Sequence, residues 1–124
     1  MASQQLDNFF ITELDHQALK VIPVLASVNA VQTDSNLVTA VVGKRIKVVQ
    51  LFLKTATAAT NVTFNTKGAG AGTAITAAIS SDTNQIALPF SKVGWFETLA
   101  GEALTVTTGA GGTSAIQIGY VLVD

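Results

Sequence analysis

Ser114-Ala115-Ile116-Gln117-Ile118-Gly119-Tyr120-Val121-Leu122-Val123 is the stretch that decides the fold. Ile116, Ile118, Tyr120 and Leu122 recur at every second residue, the repeat of a strand whose side chains point alternately to opposite faces. The stretch is almost uniformly apolar, which places it in the middle of a sheet rather than at an edge. The same alternation runs backwards through Leu104 and Val106, Ile86, Leu88 and Phe90, and Ile75, Ala77 and Ile79. It continues through Val62 and Phe64 to Ile46 and Val48, and begins near Leu37.

The segments between these runs are turn formers: Gly43-Lys44, Lys67 to Gly72, Ser81-Asp82-Thr83-Asn84, Ala100-Gly101 and Gly109-Ala110-Gly111-Gly112. Strands are therefore expected over 37–42, 44–55, 59–65, 73–80, 85–90, 94–98, 102–108 and 114–123. Within 44–55 the apolar parity changes at Val48-Val49, from Ile46 and Val48 to Val49, Leu51 and Leu53. One inserted residue, a β-bulge, or burial on both faces would produce that change. About eight strands at even spacing, with no helical run between them, exclude a parallel βαβ arrangement. The expected fold is all-β, an antiparallel β-sandwich of jelly-roll type, with an open barrel as the alternative.

Residues 1–35 differ in character and are read as an N-terminal arm, leaving 36–124 as the β-sandwich domain. Leu6, Phe10, Leu14 and Ala18 are four apart, as on one helical face, whereas Phe9 and Ile11 alternate, and Val21, Ile22, Val24 and Leu25 read as extended chain interrupted by Pro23. A mostly extended arm is favoured. So many apolar groups would not hang free, so the arm should lie on its own domain or on a neighbour.

Composition limits the chemistry. The 124 residues are 48% apolar but only 12% charged, with a net charge of −1. Such a balance offers no general attraction to nucleic acid or anionic lipid. There is no cysteine, hence no disulfide, no thiolate nucleophile and no Cys-based metal site. The start of the chain lacks the basic and apolar runs of a signal peptide, and no apolar stretch nears the roughly 20 residues that span a bilayer. The expectation is synthesis in a cytoplasm, no membrane partner and no cofactor.

Few residue clusters invite a catalytic reading. Glu13, Asp15 and His16 resemble a metal or acid–base set, but on a strand His16 would turn away from the two carboxylates, and a solvated stretch is the better account. With one His and no Cys, no Ser-His-Asp arrangement is supported. Glu97 and Glu102 flank Ala100-Gly101 and could face each other as in a glycosidase, yet one Trp and one Tyr do not make a sugar cleft. Gly68-Ala69-Gly70-Ala71-Gly72 lacks both the dinucleotide and the P-loop pattern and reads as a flexible hairpin tip. Lys44 and Arg45 must point to opposite faces of a strand, so Lys44, Arg45 and Lys47 form no continuous basic surface and read as a solvated edge. Asn61-Val62-Thr63 matches a glycosylation acceptor, which carries no meaning without secretion. In Gly94-Trp95-Phe96-Glu97-Thr98 the adjacent aromatics must face opposite ways, one into the core and one toward solvent or a partner.

The run Gly43-Lys44-Arg45-Ile46 with its strand to Lys54, then Leu88-Pro89-Phe90, Gly94-Trp95-Phe96-Glu97-Thr98 and Gly101-Glu102-Ala103-Leu104, resembles small virion proteins of tailed bacteriophages. The likeness is closest to capsid decoration, or cement, proteins. It covers residues 43–124 and involves no catalytic motif. It implies a non-enzymatic β-sandwich on the outer surface of a virion, binding the major capsid protein, often as a homotrimer, with an arm that reaches the capsid or a sister subunit. The residues expected to make partner contacts are Phe9, Phe10, Leu14, Val21, Ile22 and Leu25 of the arm, with Trp95 or Phe96. A carbohydrate- or receptor-binding module of a phage tail or fibre is the alternative, because jelly rolls host lectins as readily as capsid parts.

Overall fold

A computed structural model describes residues 20–29, 31–55, 60–80, 85–110 and 112–124. Among them the chain forms nine strands and no helix: β1 (Ile22–Val28), β2 (Gln32–Val38), β3 (Arg45–Lys54), β4 (Val62–Lys67), β5 (Thr73–Ala74), β6 (Ile86–Leu88), β7 (Phe96–Glu97), β8 (Ala103–Thr108) and β9 (Ser114–Val123). All pairings are antiparallel. One sheet has the order β1-β9-β3-β6, with β7 also on β3; the other has the order β2-β8-β4-β5. Successive strands change sheet except at β4–β5 and β6–β7, and if β6 and β7 count as one broken strand, the eight form two four-stranded layers. This is the jelly-roll sandwich that the alternation predicts.

The core lies between the layers. Ile46, Val48, Leu51, Leu53, Ile116 and Ile118 project from the β9 sheet, and Val38, Val62, Phe64, Leu104 and Val106 from the β8 sheet. The Phe64 and Phe96 rings meet across the gap, with centroids 4.9 Å apart. β9 is central as expected, pairing with β1 on one side and β3 on the other. The parity change in β3 is a bulge: Val48 pairs with Tyr120 but Gln50 with Gly119, so Val49 is the inserted residue.

Three sequence expectations need correction. The domain begins earlier than residue 36: β1 pairs along its whole length with β9, and β2 pairs with β8, so residues 22–38 are integral to the sandwich. Residues 1–19 of the proposed arm lie outside the described residues. Second, the strand expected over 37–42 is instead Gln32–Val38, an edge strand whose first five residues are polar. Third, the strand expected over 73–80 is regular only at Thr73–Ala74. The amides of Ile75 and Ile79 bond to the carbonyls of Phe64 and Val62, so five residues of one segment oppose three of the other. The Thr76 hydroxyl accepts from the Phe64 amide in place of a ladder carbonyl.

Removing the ring that joins the layers should be costly. Phe64→Ala is expected to lower the free energy of unfolding by about 3–5 kcal/mol, whereas Gln117→Ala, on the solvent side of β9, should stay within about 0.5 kcal/mol. Denaturant unfolding of the two variants checks both values.

Candidate interaction surfaces

The outer face of the β9 sheet is built from the residues that alternate with the core set. Val21, Pro23 and Leu25 lead along β1, Gln117 and Gly119 along β9, Gln50 and Phe52 along β3, and Ala87 and Pro89 at β6. Register aligns them in rows: Pro23–Gly119–Gln50, then Leu25–Gln117–Phe52–Ala87. Gly119 contributes no side chain, and the rows flank an open, mainly apolar trough of about 590 Å³. The side chains of Gln50 and Val21 lean over Gly119, where a Cβ would come within 2.8–3.0 Å of them. Leu25 stands 74% exposed on the trough's wall.

A second apolar surface follows the connection from β6 to β8. Phe90, Val93, Trp95 and Leu99 are all exposed large apolar side chains. The Ser91–Gly94 turn closes through Gly94 N–H to Ser91 O, and the Trp95 indole N–H donates to Pro89 O at 2.9 Å. Glycine serves this turn well: Gly94 has φ +90°, and a Cβ there would meet the stem of Lys47. Further on, the Gly101 amide bonds to Lys44 O, bringing the 41–44 turn beside Leu99 and adding Val42, which is 97% exposed.

Of the residues singled out from the sequence, Val21 and Leu25 are exposed on the trough, while Ile22 is half-buried and alternates with them. Trp95 is 43% exposed; its neighbour Phe96 packs inward on Phe64. Phe9, Phe10 and Leu14, with Glu13, Asp15 and His16, lie outside the described residues. Glu97 and Glu102 do not face each other. Arg45 Nη1 donates to Glu97 Oε1 at 3.4 Å, and the Thr66 hydroxyl donates to Glu102 Oε1 at 2.8 Å. Lys44 pairs with Asp124. Among the described residues no group of three or more His, Cys, Asp or Glu is placed to hold a metal ion, and no helix is long and apolar enough to cross a membrane.

Asp34, passed over in the sequence, organises the outer face of the β8 sheet. Its Oδ1 accepts from Asn65 Nδ2 and from the Thr105 hydroxyl, both at 3.2 Å, and its Oδ2 accepts from the Gly72 amide at 3.0 Å. Its own amide donates to Thr107 Oγ1. One carboxylate thus ties β2, β8, β4 and the Lys67–Gly72 loop together. The geometry needs φ +51°, which Asp tolerates better than most residues with a side chain. It also needs glycine at 72, because a Cβ there would collide with Asp34 Oδ1. Lys67 Nζ closes the loop further by donating to Gly70 O. The stretch read as a flexible tip is therefore pinned at both ends. No sequence signal marks this, since Asp34 meets its partners only after the strands pair. The recess beside it, where Asp34, Asn36, Thr39, Lys67 and Thr105 alternate with small residues such as Ala40, Ala69 and Ala103, has no aromatic on which a sugar ring could stack.

Comparison with protein-family models, with curated proteins and with solved structures gives no match to this chain.

Asp34→Ala leaves the Gly72 amide and Asn65 without their acceptor and should cost about 1–3 kcal/mol. Limited proteolysis should then cut within residues 68–72 faster than in the parent protein, and thermal unfolding should report the lost stability.

Proposed function

We propose that this chain is a non-enzymatic structural protein of a bacteriophage particle. In this reading it is a head decoration, or cement, protein that binds the major capsid protein, associates with itself as a homotrimer, and stabilises the assembled shell. The observation that carries the reading is the distribution of exposed apolar bulk. Four large apolar side chains crowd into residues 90–99, and Val41 and Val42 are brought alongside, on a chain with only 12% charged residues. Isolated exposed apolar residues are ordinary, but several within one connection suit a contact surface. Trp95 suits the role of anchor, because aromatics with a polar handle dominate the energetics of such surfaces. The sequence resemblance to decoration proteins points the same way.

The mechanism is mass action. A ligand that binds the assembled shell but not its dissociated subunits shifts the equilibrium toward assembly, by about 2.7 kcal/mol per site at a hundredfold excess over Kd. Trimerisation multiplies the effect, since a second contact forms at high effective concentration once the first is made. The end turns and the β7 edge would meet the shell, and the sandwich would act as a rigid carrier.

Co-sedimentation with assembled phage capsids provides the test. Trp95→Ala is expected to weaken co-sedimentation by about tenfold or more, roughly 1.4 kcal/mol. Thr63→Ala, on the opposite sheet, should bind as the parent does, with both variants keeping β-rich circular dichroism. Undiminished capsid binding by the Trp95 variant would refute the assignment of this surface. Glycan binding without capsid affinity would favour the receptor-binding alternative.

A further inference from the structure

Among the described residues the two sheets end in β1, β6, β2 and β5. β5 and β6 are only two and three residues long. β2 is interrupted by two register shifts against β8 and carries Asp34. Shortness, irregularity and charge are the usual protections of an exposed sheet edge. β1 has none of them. Its seven residues pair with β9 in unbroken register and include no charged side chain; only Pro23 interrupts the row of amides.

The hydrogen bonding fixes which backbone groups of β1 are free. The Ile46 and Val48 carbonyls accept from the Thr98 and Trp95 amides. The alternate residues Arg45 and Lys47 therefore turn to β9, where Val123 and Val121 oppose them. Along β9 the odd-numbered residues thus bond to β3, and Ile116, Ile118 and Tyr120 bond to β1. Their partners in β1 are Ala26, Val24 and Ile22. Pro23, Leu25 and Ser27 consequently turn their backbone groups outward, and among the described residues no strand pairs with them. Pro23 thus occupies the side of an edge strand where its missing N–H removes no bond to β9. The same three residues are exposed, Leu25 at 74%.

We propose that this edge seats a second copy of the chain, β1 against β1, antiparallel about a twofold axis at Leu25. In that register Leu25 exchanges both backbone bonds with its counterpart, and each Ser27 amide donates to the opposing Pro23 carbonyl. The two Leu25 side chains lie directly opposite on the same face and cover each other. No like charges are brought together, since β1 carries none. The edge therefore complements itself, as a twofold contact requires. Pairing joins the two β9 sheets into one, with the troughs side by side on a common face. Because the contact is twofold, beside the homotrimer proposed above it links copies of different trimers. It goes beyond shell binding, which was assigned to the β6–β8 connection, and its test uses no capsid.

Sedimentation equilibrium of the full-length chain should show reversible self-association. Leu25→Lys and Leu25→Glu, changes at an exposed side chain, should each weaken it about tenfold or more, because like charges then oppose each other across the axis. Mixing the two variants should restore it. The protein has no cysteine, so introduced thiols report cleanly. Opposed Leu25 Cα atoms would lie roughly 5.5 Å apart, within disulfide reach. Under mild oxidation Leu25→Cys should therefore form covalent dimers faster than Gln117→Cys, which lies within the trough. Faster linkage through Gln117→Cys would set the copies face to face and overturn the proposal. A parent that does not associate, or charged variants that associate as the parent does, would overturn it as well.

Discussion

The structure depends on β9. It is the one strand of its sheet paired along most of its length on both sides, with β1 and β3, and its inward residues Ile116 and Ile118 meet the opposite layer at the centre of the core. A one-residue slip along it would turn those side chains to solvent and bring Gln117 inside. The bulge at Val49 accommodates a related mismatch: it lets β3 keep its apolar residues inward both before and after the inserted position. The trough over Gly119 follows from the same pairing, because the rows that flank it are set by the register of β1 and β3 against β9.

The fold was largely legible because burial imposes a two-residue period, and the chain carries that period plainly in 45–54, 103–108 and 114–123. Where the reading failed, a different force operated. Gln32–Val38 looked like part of an arm because polar residues dominate it; as an edge strand it is held by ladder bonds to β8 and by Asp34 rather than by its own apolar content. The 75–79 segment alternates correctly, yet Thr76 substitutes its hydroxyl for a backbone group and the ladder widens. Such substitutions depend on partners remote in sequence and leave no local trace.

The candidate surfaces divide in the same way. That one of Trp95 and Phe96 must face outward follows from strand geometry, and Phe96 is the inward member. The gathering of Val42 beside Leu99 does not follow from any local pattern, because it requires the Gly101 amide to reach Lys44 O. The Asp34 cluster is more distant still, joining residues from 34 to 105 through one carboxylate. Single-residue motifs are the wrong unit for such features; they belong to the closed sandwich.

The position of β9 has a consequence for biosynthesis. As a ribosome makes the chain, β1 and β3 emerge without the strand that belongs between them, since residues 114–123 follow all the other described strands. Until then the edges of β1 and β3 that pair with β9 stay uncovered, and contacts of such long sequence separation close slowly. The nascent sandwich is thus most prone to aggregate just before β9 is released.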